Sequence, residues 1–518
     1  MNRIYLKGFS YLFRLAAFLL VFSSCNSMLE QAPINDRTRE EYWQTKEDVE
    51  TSLLGAYDQL QNTIDLFYSY GEVRGDLIRP NSGDYQTFNN QMITETTGLV
   101  KWNSIYSTIN KFNMVYMFAP EAQLTDITYS NTELKYHLGE ALTMKALCYF
   151  YLARSFKDMV YTSEPSESDE QEYKLAPIPY TQVLDSVIAD LKLAETMVRN
   201  DWSMKNFSSP AEKTRYEKGR VTLPTVYAIL ADALLTRGAP GDFTAAKTYC
   251  DRILNDTRYV YLSGERFMEN FYPGNSPESV FELQFLRGQF IDAGPMFGWF
   301  NTRYTWILHP SFNTLYYWQG EDYRQPRNDD LRGLGVSFQD IDKYTTIWKL
   351  MLADSKQNIA NDKKRISGST DNINYIFYRL SDIYFMKAEA QANSSDLPGA
   401  VITLKIVRDR AIPSPSRTNP LPEIAAETVA AFESLLLDEK AREVGAEGKR
   451  WFDLVRIARR QDNPDVLIDR IAAAQAFGPA QQVWKSRLFD RNSWFLPIHR
   501  DELNANINLV QNPYYQSK

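Results

Sequence analysis

The sequence predicts a predominantly α-helical globule built on tetratricopeptide-like helix pairs, with long irregular loops and minor β-hairpins. Three observations predict it. Apolar residues recur at three- and four-residue spacing through most segments that lie between Gly, Pro and Ser breakers. Alanines such as Ala141, Ala146 and Ala153 stand among bulky neighbours, where two helices approach closely. Helical segments also come in pairs: 222–237 with 243–255, divided by Gly238, Pro240 and Gly241, and 376–393 with 397–411, divided by Ser394, Ser395 and Pro398. The pairs do not keep a fixed period of about 34 residues, so they are embedded in a larger globule rather than stacked as a regular array.

The first 24 residues read as a targeting segment. Arg3, Lys7 and Arg14 precede an apolar stretch at 15–22 (LAAFLLVF), then Ser23, Ser24 and Cys25. Eight residues span about 12 Å as a helix, too short for a hydrocarbon core of about 30 Å. A cysteine directly after small residues resembles a bacterial lipobox, although Phe22 stands where an aliphatic residue is usual. Cleavage would leave Cys25 as an acylated N-terminus, each buried methylene contributing about 0.8 kcal/mol of membrane affinity. A plain secretory signal with an incidental cysteine is the alternative. Residues 25–48 then form a polar tether, and 49–518 the folded domain.

Within that domain, Thr45 or Thr51 caps a helix whose face is Val49, Leu53, Ala56, Tyr57 and Leu60. Residues 68–100 read as an irregular loop rich in Gly, Asn, Ser and Thr with isolated aromatics. Helices follow at 101–118 (Trp102, Tyr106, Ile109, with Phe112 or Asn113 on one face), 132–157 and 181–199, with an acidic loop at 163–174. Residues 260–350 carry few helical patterns and many aromatics, and 412–424 form a proline-rich connection.

Composition narrows the function. A net charge of −8 opposes a broad nucleic-acid surface, which needs a basic field. Three histidines and three cysteines are too few for a multi-histidine metal site or a paired CxxC framework, so neither metal nor cofactor is expected. Cys148 and Cys250 sit in apolar helical patterns and read as buried thiols, with a disulfide as the alternative. Aromatics are abundant: Tyr 32, Phe 28 and Trp 10, or 14% of the chain. In loops, such rings make flat contact surfaces with polar handles.

Several motifs point further. Residues 439–456 read EKAREVGAEGKRWFDLVR, 379–390 read RLSDIYFMKAEA, and 496–515 read LPIHRDELNANINLVQNPYY. With Trp102, Tyr106, Ile109 and Asn113, and the LLGAYDQL helix, these resemble the SusD/RagB family of Bacteroidetes outer-membrane lipoproteins. Lys440, Ser381, Phe385 and His499 depart from the family pattern. The matches span essentially the whole mature chain. The spacing of Glu443, Glu447 and Arg450 also predicts mutual pairing on one helix face, and Glu447, Arg450 and Asp453 read as a structural charge network rather than a catalytic cluster. Arg74 and Asp76 read as a loop-fixing ion pair, and Asp329, Asp330 and Arg332 as a structural turn, with a calcium site as the alternative.

The resemblance implies a surface-exposed, lipid-anchored outer-membrane protein that captures oligosaccharides or polysaccharides and passes them to a SusC-like TonB-dependent transporter without catalysis. It places the glycan site on the loop before the Trp102 helix and on the mid-chain insert, here residues 79–100 and about 285–325. The candidate contacts there are Tyr85, Asn89, Trp299, Arg303, Tyr304, Trp306, Tyr316 and Trp318. Core packing is the competing reading of each aromatic, and Trp299, Arg303 and Trp306 stand at near-helical spacing. A peptide-binding member of the same scaffold is the second reading. A glycoside hydrolase using paired carboxylates is the third, but no HExxH, GxSxG, Walker or dinucleotide motif occurs.

Overall fold

The computed structural model describes residues 42–80, 83–167, 172, 174–203, 205–285, 306–308, 330–333, 336–341, 344–350, 374–412, 423–474 and 479–516. The expected signal segment, Cys25 and most of the tether lie outside these residues, as do Trp299, Arg303, Tyr304, Tyr316, Trp318 and Asp329. Trp306 is described by its backbone alone.

Helix α1 (Lys46–Gln61) starts at Thr45, which closes a capping box with Asp48 and so wins over Thr51. Its five expected apolar residues are all buried. A short α2 (Ile64–Tyr68) runs into a π-helical turn, Ser69–Val73, then β1 (Ile78–Pro80) and α3 (Gly83–Asn89). Next come α4 (Asn103–Thr125), α5 (Asn131–Phe156), α6 (Tyr180–Glu195) and α7 (Pro210–Gly219). Helix α5 also opens on a capping box, Ser130 with Glu133, and is buried on all sides from Gly139 onward, the pattern of a central helix. Helix α8 (Leu223–Arg237) stops where Gly238 turns left-handed at φ 65°, and α9 (Asp242–Leu254) follows.

Strands β2 (Ser279–Leu283), β3 (Trp306–Leu308), β4 (Phe338–Ile341), β5 (Tyr344–Ile347) and β6 (Tyr375–Arg379) lie between the two groups of helices. The second group is α10 (Leu380–Asn393), α11 (Leu397–Ala411), α12 (Val429–Val444), α13 (Arg450–Arg460), α14 (Asp465–Ala474), α15 (Pro479–Phe489) and α16 (Arg500–Ala505). Packing runs in one line: α1 on α4, α4 on α5, α5 on α6, α6 on α8, α8 on α9, α9 on α10, and α10 on α11 and α12. Each inner helix buries two faces against successive neighbours, so the expected paired-helix architecture holds.

Four details differ from the expectation. The helix expected over 376–393 begins at Leu380, because Tyr375–Arg379 pairs antiparallel with Ser279–Leu283 as fully buried strand. The stretch 68–100 is not irregular throughout but carries the π-turn, β1 and α3. Trp306 belongs to a strand, not to a helix with Trp299 and Arg303. Only β4 and β5 form a hairpin among the described residues; β1–β3 and β2–β6 join distant segments. Both described thiols are free and buried, and burial pushes them above their ordinary range.

A stripe of three carboxylates, Glu439, Glu443 and Glu447, holds the second half of the chain together. They recur every four residues and are all buried. Glu439 meets Arg332 at 2.7 Å, Arg408 at 2.5 Å and Arg442 at 2.9 Å. Glu443 meets Arg332 at 3.0 Å, Arg379 at 2.7 Å and also Arg410. Glu447 meets Arg379 at 3.0 Å and Lys349 at 2.7 Å. The expected pairing of Glu443, Glu447 and Arg450 with one another is therefore corrected. Helix α12 ends at Val444, a turn intervenes, and Arg450 pairs with Asp76 at 2.7 Å instead. Asp330 and Arg332 join this cluster as a structural turn, at 2.8 Å. Among the described residues no group of acids, His or Cys is arranged to hold a metal ion.

Removing one partner of such a cluster strands its neighbours. Arg379→Ala is expected to lower unfolding free energy by about 3–5 kcal/mol, read from denaturant midpoints; a loss below about 1 kcal/mol would contradict the network. Its pH dependence follows in sign. Burial raises the Glu439 carboxyl, but Arg332, Arg442 and Arg408 overcome it and hold it down at about 2. Burial likewise raises Glu447, and Arg379 and Lys349 bring it to about 2. A depressed carboxyl contributes stability above its unfolded value of 4.5, lost as pH falls toward 2. The thermal midpoint should therefore drop steeply on acidification from pH 5 to about 2.5, and a flat profile there is the contrary result.

Candidate functional site

The two regions expected to carry the ligand, 79–100 and 285–325, are far apart in sequence, yet one sheet joins a strand from each. Strands β1, β3, β5 and β4 form, in that order, a four-stranded antiparallel sheet. Ile78 pairs with Leu308, Arg79 with Ile307, and Pro80 with Trp306. Ile307 in turn pairs with Thr346. Residues 79–100 therefore begin beside the middle of the 285–325 insert.

The first edge of this platform is built from the π-turn. Gly71 lies so close to Gly448 that a Cβ there would sit 1.8 Å from its carbonyl oxygen. The neighbouring Glu72 accepts N–H bonds from Ala446 at 2.9 Å, Gly448 at 3.0 Å and Lys449 at 3.1 Å, and caps the start of α13. Burial pushes this carboxyl up to about 7, against the pull of those N–H groups. Arg74 and Asp76 do not pair with each other. Arg74 stacks 3.9 Å over Trp451 and donates to the Ser493 and Trp494 carbonyls and to Gln91, while Asp76 takes Arg450. The local pair expected from sequence is thus replaced by separate partners, Gln91 at 17 residues and the others 374–420 residues away.

Helix α3 follows β1 and is tied down along one side. The half-buried Tyr85 donates its hydroxyl to Asp65 at 2.8 Å, and burial raises the Asp65 carboxyl against the Tyr85 and Ser69 bonds. Phe88 is buried beside Tyr70. Asn89 is 2% exposed, and its amide donates to the Val73 carbonyl at 2.8 Å and the Ile78 carbonyl at 3.1 Å. Asn89 is therefore a buttress that fixes β1 to the π-turn, not part of an open face. Asp84 closes the loop by accepting from Gly98 N–H at 2.7 Å. Arg79, Asp84, Gln86, Met92, Thr94 and Thr96 are among the residues this segment leaves exposed. Of the other candidates, the backbone of Trp306 lies opposite Pro80, and Trp299, Arg303, Tyr304, Tyr316 and Trp318 lie outside the described residues.

Two concavities were not singled out in the sequence. A groove of about 660 Å³ runs along α4 and is lined by Trp102, Tyr106, Ile109 and Asn113, the residues of the N-terminal motif, together with Glu164, Glu502 and Asn506. Tyr106 donates to the Val160 carbonyl and Asn113 to the Thr162 carbonyl, so part of the motif holds the neighbouring loop in place. A second pocket, of about 380 Å³, lies among helix ends and is lined by five arginines. The tandem Arg459 and Arg460 at the end of α13 was the one sequence signal for it.

Comparison with known proteins agrees with this architecture. A profile described as "SusD family" matches residues 304–515, and one described as "Starch-binding associating with outer membrane" matches residues 28–223. SusD-like protein P38 of Formosa agariphila is 27% identical over 494 residues, covering 87% of this chain and 91% of that protein. A SusD superfamily protein of Bacteroides vulgatus superposes with a TM-score of 0.71 at 19% identity, over 92% of this chain and 100% of the other. The SusD homolog of Bacteroides thetaiotaomicron gives 0.70 at 17% identity, over 92% and 99%. The motifs at 379–390, 439–456 and 496–515 all fall within the first profile, charged side chains of the first two form the buried frame just described, and the chain belongs to the SusD family.

Proposed function

We propose that this chain is a lipid-anchored outer-membrane protein facing the cell exterior. It binds oligosaccharide or polysaccharide on its two joined loops and delivers it to a SusC-like TonB-dependent transporter without transforming it. The pairing of β1 with β3 carries the reading, because it sets residues 306–308 of the insert directly beside the start of the 79–100 loop. Sugar rings offer apolar C–H faces, so several aromatic rings acting together suit them, while amides, hydroxyls and guanidinium bond the hydroxyl groups. The ring faces are assigned to Trp299, Tyr304, Trp306 and Trp318. Polar contacts are assigned to Tyr85, Arg303 and Tyr316, with Asn89 supporting the loop from beneath.

The descriptions of the matching profiles, starch binding and outer-membrane association, support the ligand class and the compartment. A binding role without catalysis is supported by the state of the acids in the C-terminal motif. Glu447 and Asp453, the carboxylates a hydrolytic reading would use, are buried and ion-paired with Lys349 and Lys440. Both are held below the ordinary carboxylate range, against burial, by neighbouring cations. Neither is positioned to exchange a proton with a ligand.

In a screen of defined glycans against defined peptides, the mature chain is expected to bind at least one glycan. Trp299→Ala and Trp318→Ala should each weaken that binding at least about tenfold, roughly 1.4 kcal/mol, by calorimetry. Full affinity in both variants removes the loop assignment, and binding to peptides alone replaces the glycan reading. The anchor is tested separately. Mass spectrometry of the mature protein should find an acylated Cys25, and Cys25→Ala should release the chain from the membrane fraction. An unmodified N-terminus at another residue excludes the anchor.

A further inference from the structure

We infer that the pocket of about 380 Å³ where α5, α8, α10 and α13 end is a binding site for an oxyanion: a carboxylate, sulfate or phosphate group. Its lining includes Arg154, Arg237, Arg456, Arg459 and Arg460 and no carboxylate. The neutralising acids stand behind the guanidinium groups. Arg154 meets Asp232 at 3.1 Å, Arg237 meets Asp242 at 2.7 Å, and Arg456 and Arg460 share Glu389 at 2.8 Å. The wall therefore presents cationic N–H groups, not acids, to whatever enters.

Two further observations separate this pocket from an ordinary cluster of paired arginines. Arg459 is exposed and has no ion pair or hydrogen bond from its side chain to another described residue. Its guanidinium lies 4.6 Å from the Tyr180 ring and 5.6 Å from that of Phe495, an aromatic floor that orients the fork and leaves its N–H groups uncommitted. Arg154 Nε and Arg460 Nη1 are buried N–H groups with no acceptor, and Arg154 is 9% exposed. Such a donor destabilises the fold when it is left without an acceptor. Helix C-termini account for the presence of cations at this place, but their carbonyls do not take these two N–H groups. A guanidinium fork matches the oxygen spacing of a carboxylate, sulfate or phosphate, which a neutral hydroxyl does not replace. The pocket is much larger than the roughly 30 Å³ that one water occupies, so the anion has room to arrive as a free ion or as the acidic group of a sugar ring.

Titration calorimetry on the full mature chain tests this, with sodium sulfate and sodium D-glucuronate at ionic strength held constant with chloride, and D-glucose as the neutral probe. Saturable binding of sulfate or glucuronate is expected, with none for glucose. Sulfate alone identifies a free-ion site, and glucuronate identifies an acidic-sugar site. Arg459→Gln, which breaks no ion pair, should weaken the binding at least about tenfold, with Arg459→Lys between the two. No saturable binding of either anion, an equal response to glucose, or unchanged affinity in Arg459→Gln would overturn the assignment.

Discussion

Three buried carboxylates on one side of the α12 end impose a condition that the rest of the fold must meet. Glu439, Glu443 and Glu447 repel one another at four-residue spacing, and each loses its water on burial. The arrangement exists only if cations enter from elsewhere. They come from Arg332 and Lys349, from Arg379 at the end of β6, and from Arg408 and Arg410 on α11. No segment supplies enough charge alone, so the segments assemble together or not at all. Such a cluster adds little net stability relative to an apolar core. Its consequence here is positional.

That position reaches the loops by a short route. Arg332 and Lys349 flank the β4–β5 hairpin, so the carboxylate stripe clamps both ends of it. Strand β5 holds β3, and β3 holds β1. From the other side, the turn that follows Glu443 gives its N–H groups to Glu72, six residues before β1 begins. The end of α12 and the turn after it, residues 439–450, thus reach the sheet from both edges. A frame of this kind holds the strands it touches in place and keeps its own acids committed to salt bridges. The arginine pocket stands apart from this arrangement, since its cations use a different set of acids at the helix ends.

Much of the helical frame was legible because its causes are local. Capping residues such as Thr45 and Ser130, apolar spacing, and breakers such as Gly238 act within a few positions of one another. The misread elements all depend on distant partners. The run YIFYR at 375–379 runs without a breaker into the helix after it, but its aromatic and β-branched residues suit a strand and pair with residues 279–283. Helix α3, with the sequence GDYQTFN, lacks an apolar stripe and is held by Asp65, Val73, Ile78 and Gly98. Arg74 and Asp76 look like partners because they are two apart, yet each finds a better one in the C-terminal third. The same limit applies to the site. The family resemblance implies two regions far apart in sequence, and only the tertiary pairing of residues 78–80 with 306–308 brings strands from both together.

Hydrogen–deuterium exchange on the mature protein, with and without the glycan it binds most tightly, tests the central claim most directly. If the clamped sheet presents one shared platform, amides of both 79–100 and 285–325 slow together when ligand is added, while the α12–α13 turn is unchanged. Slowing in only one of the two loops, or in segments away from both, would contradict the claim.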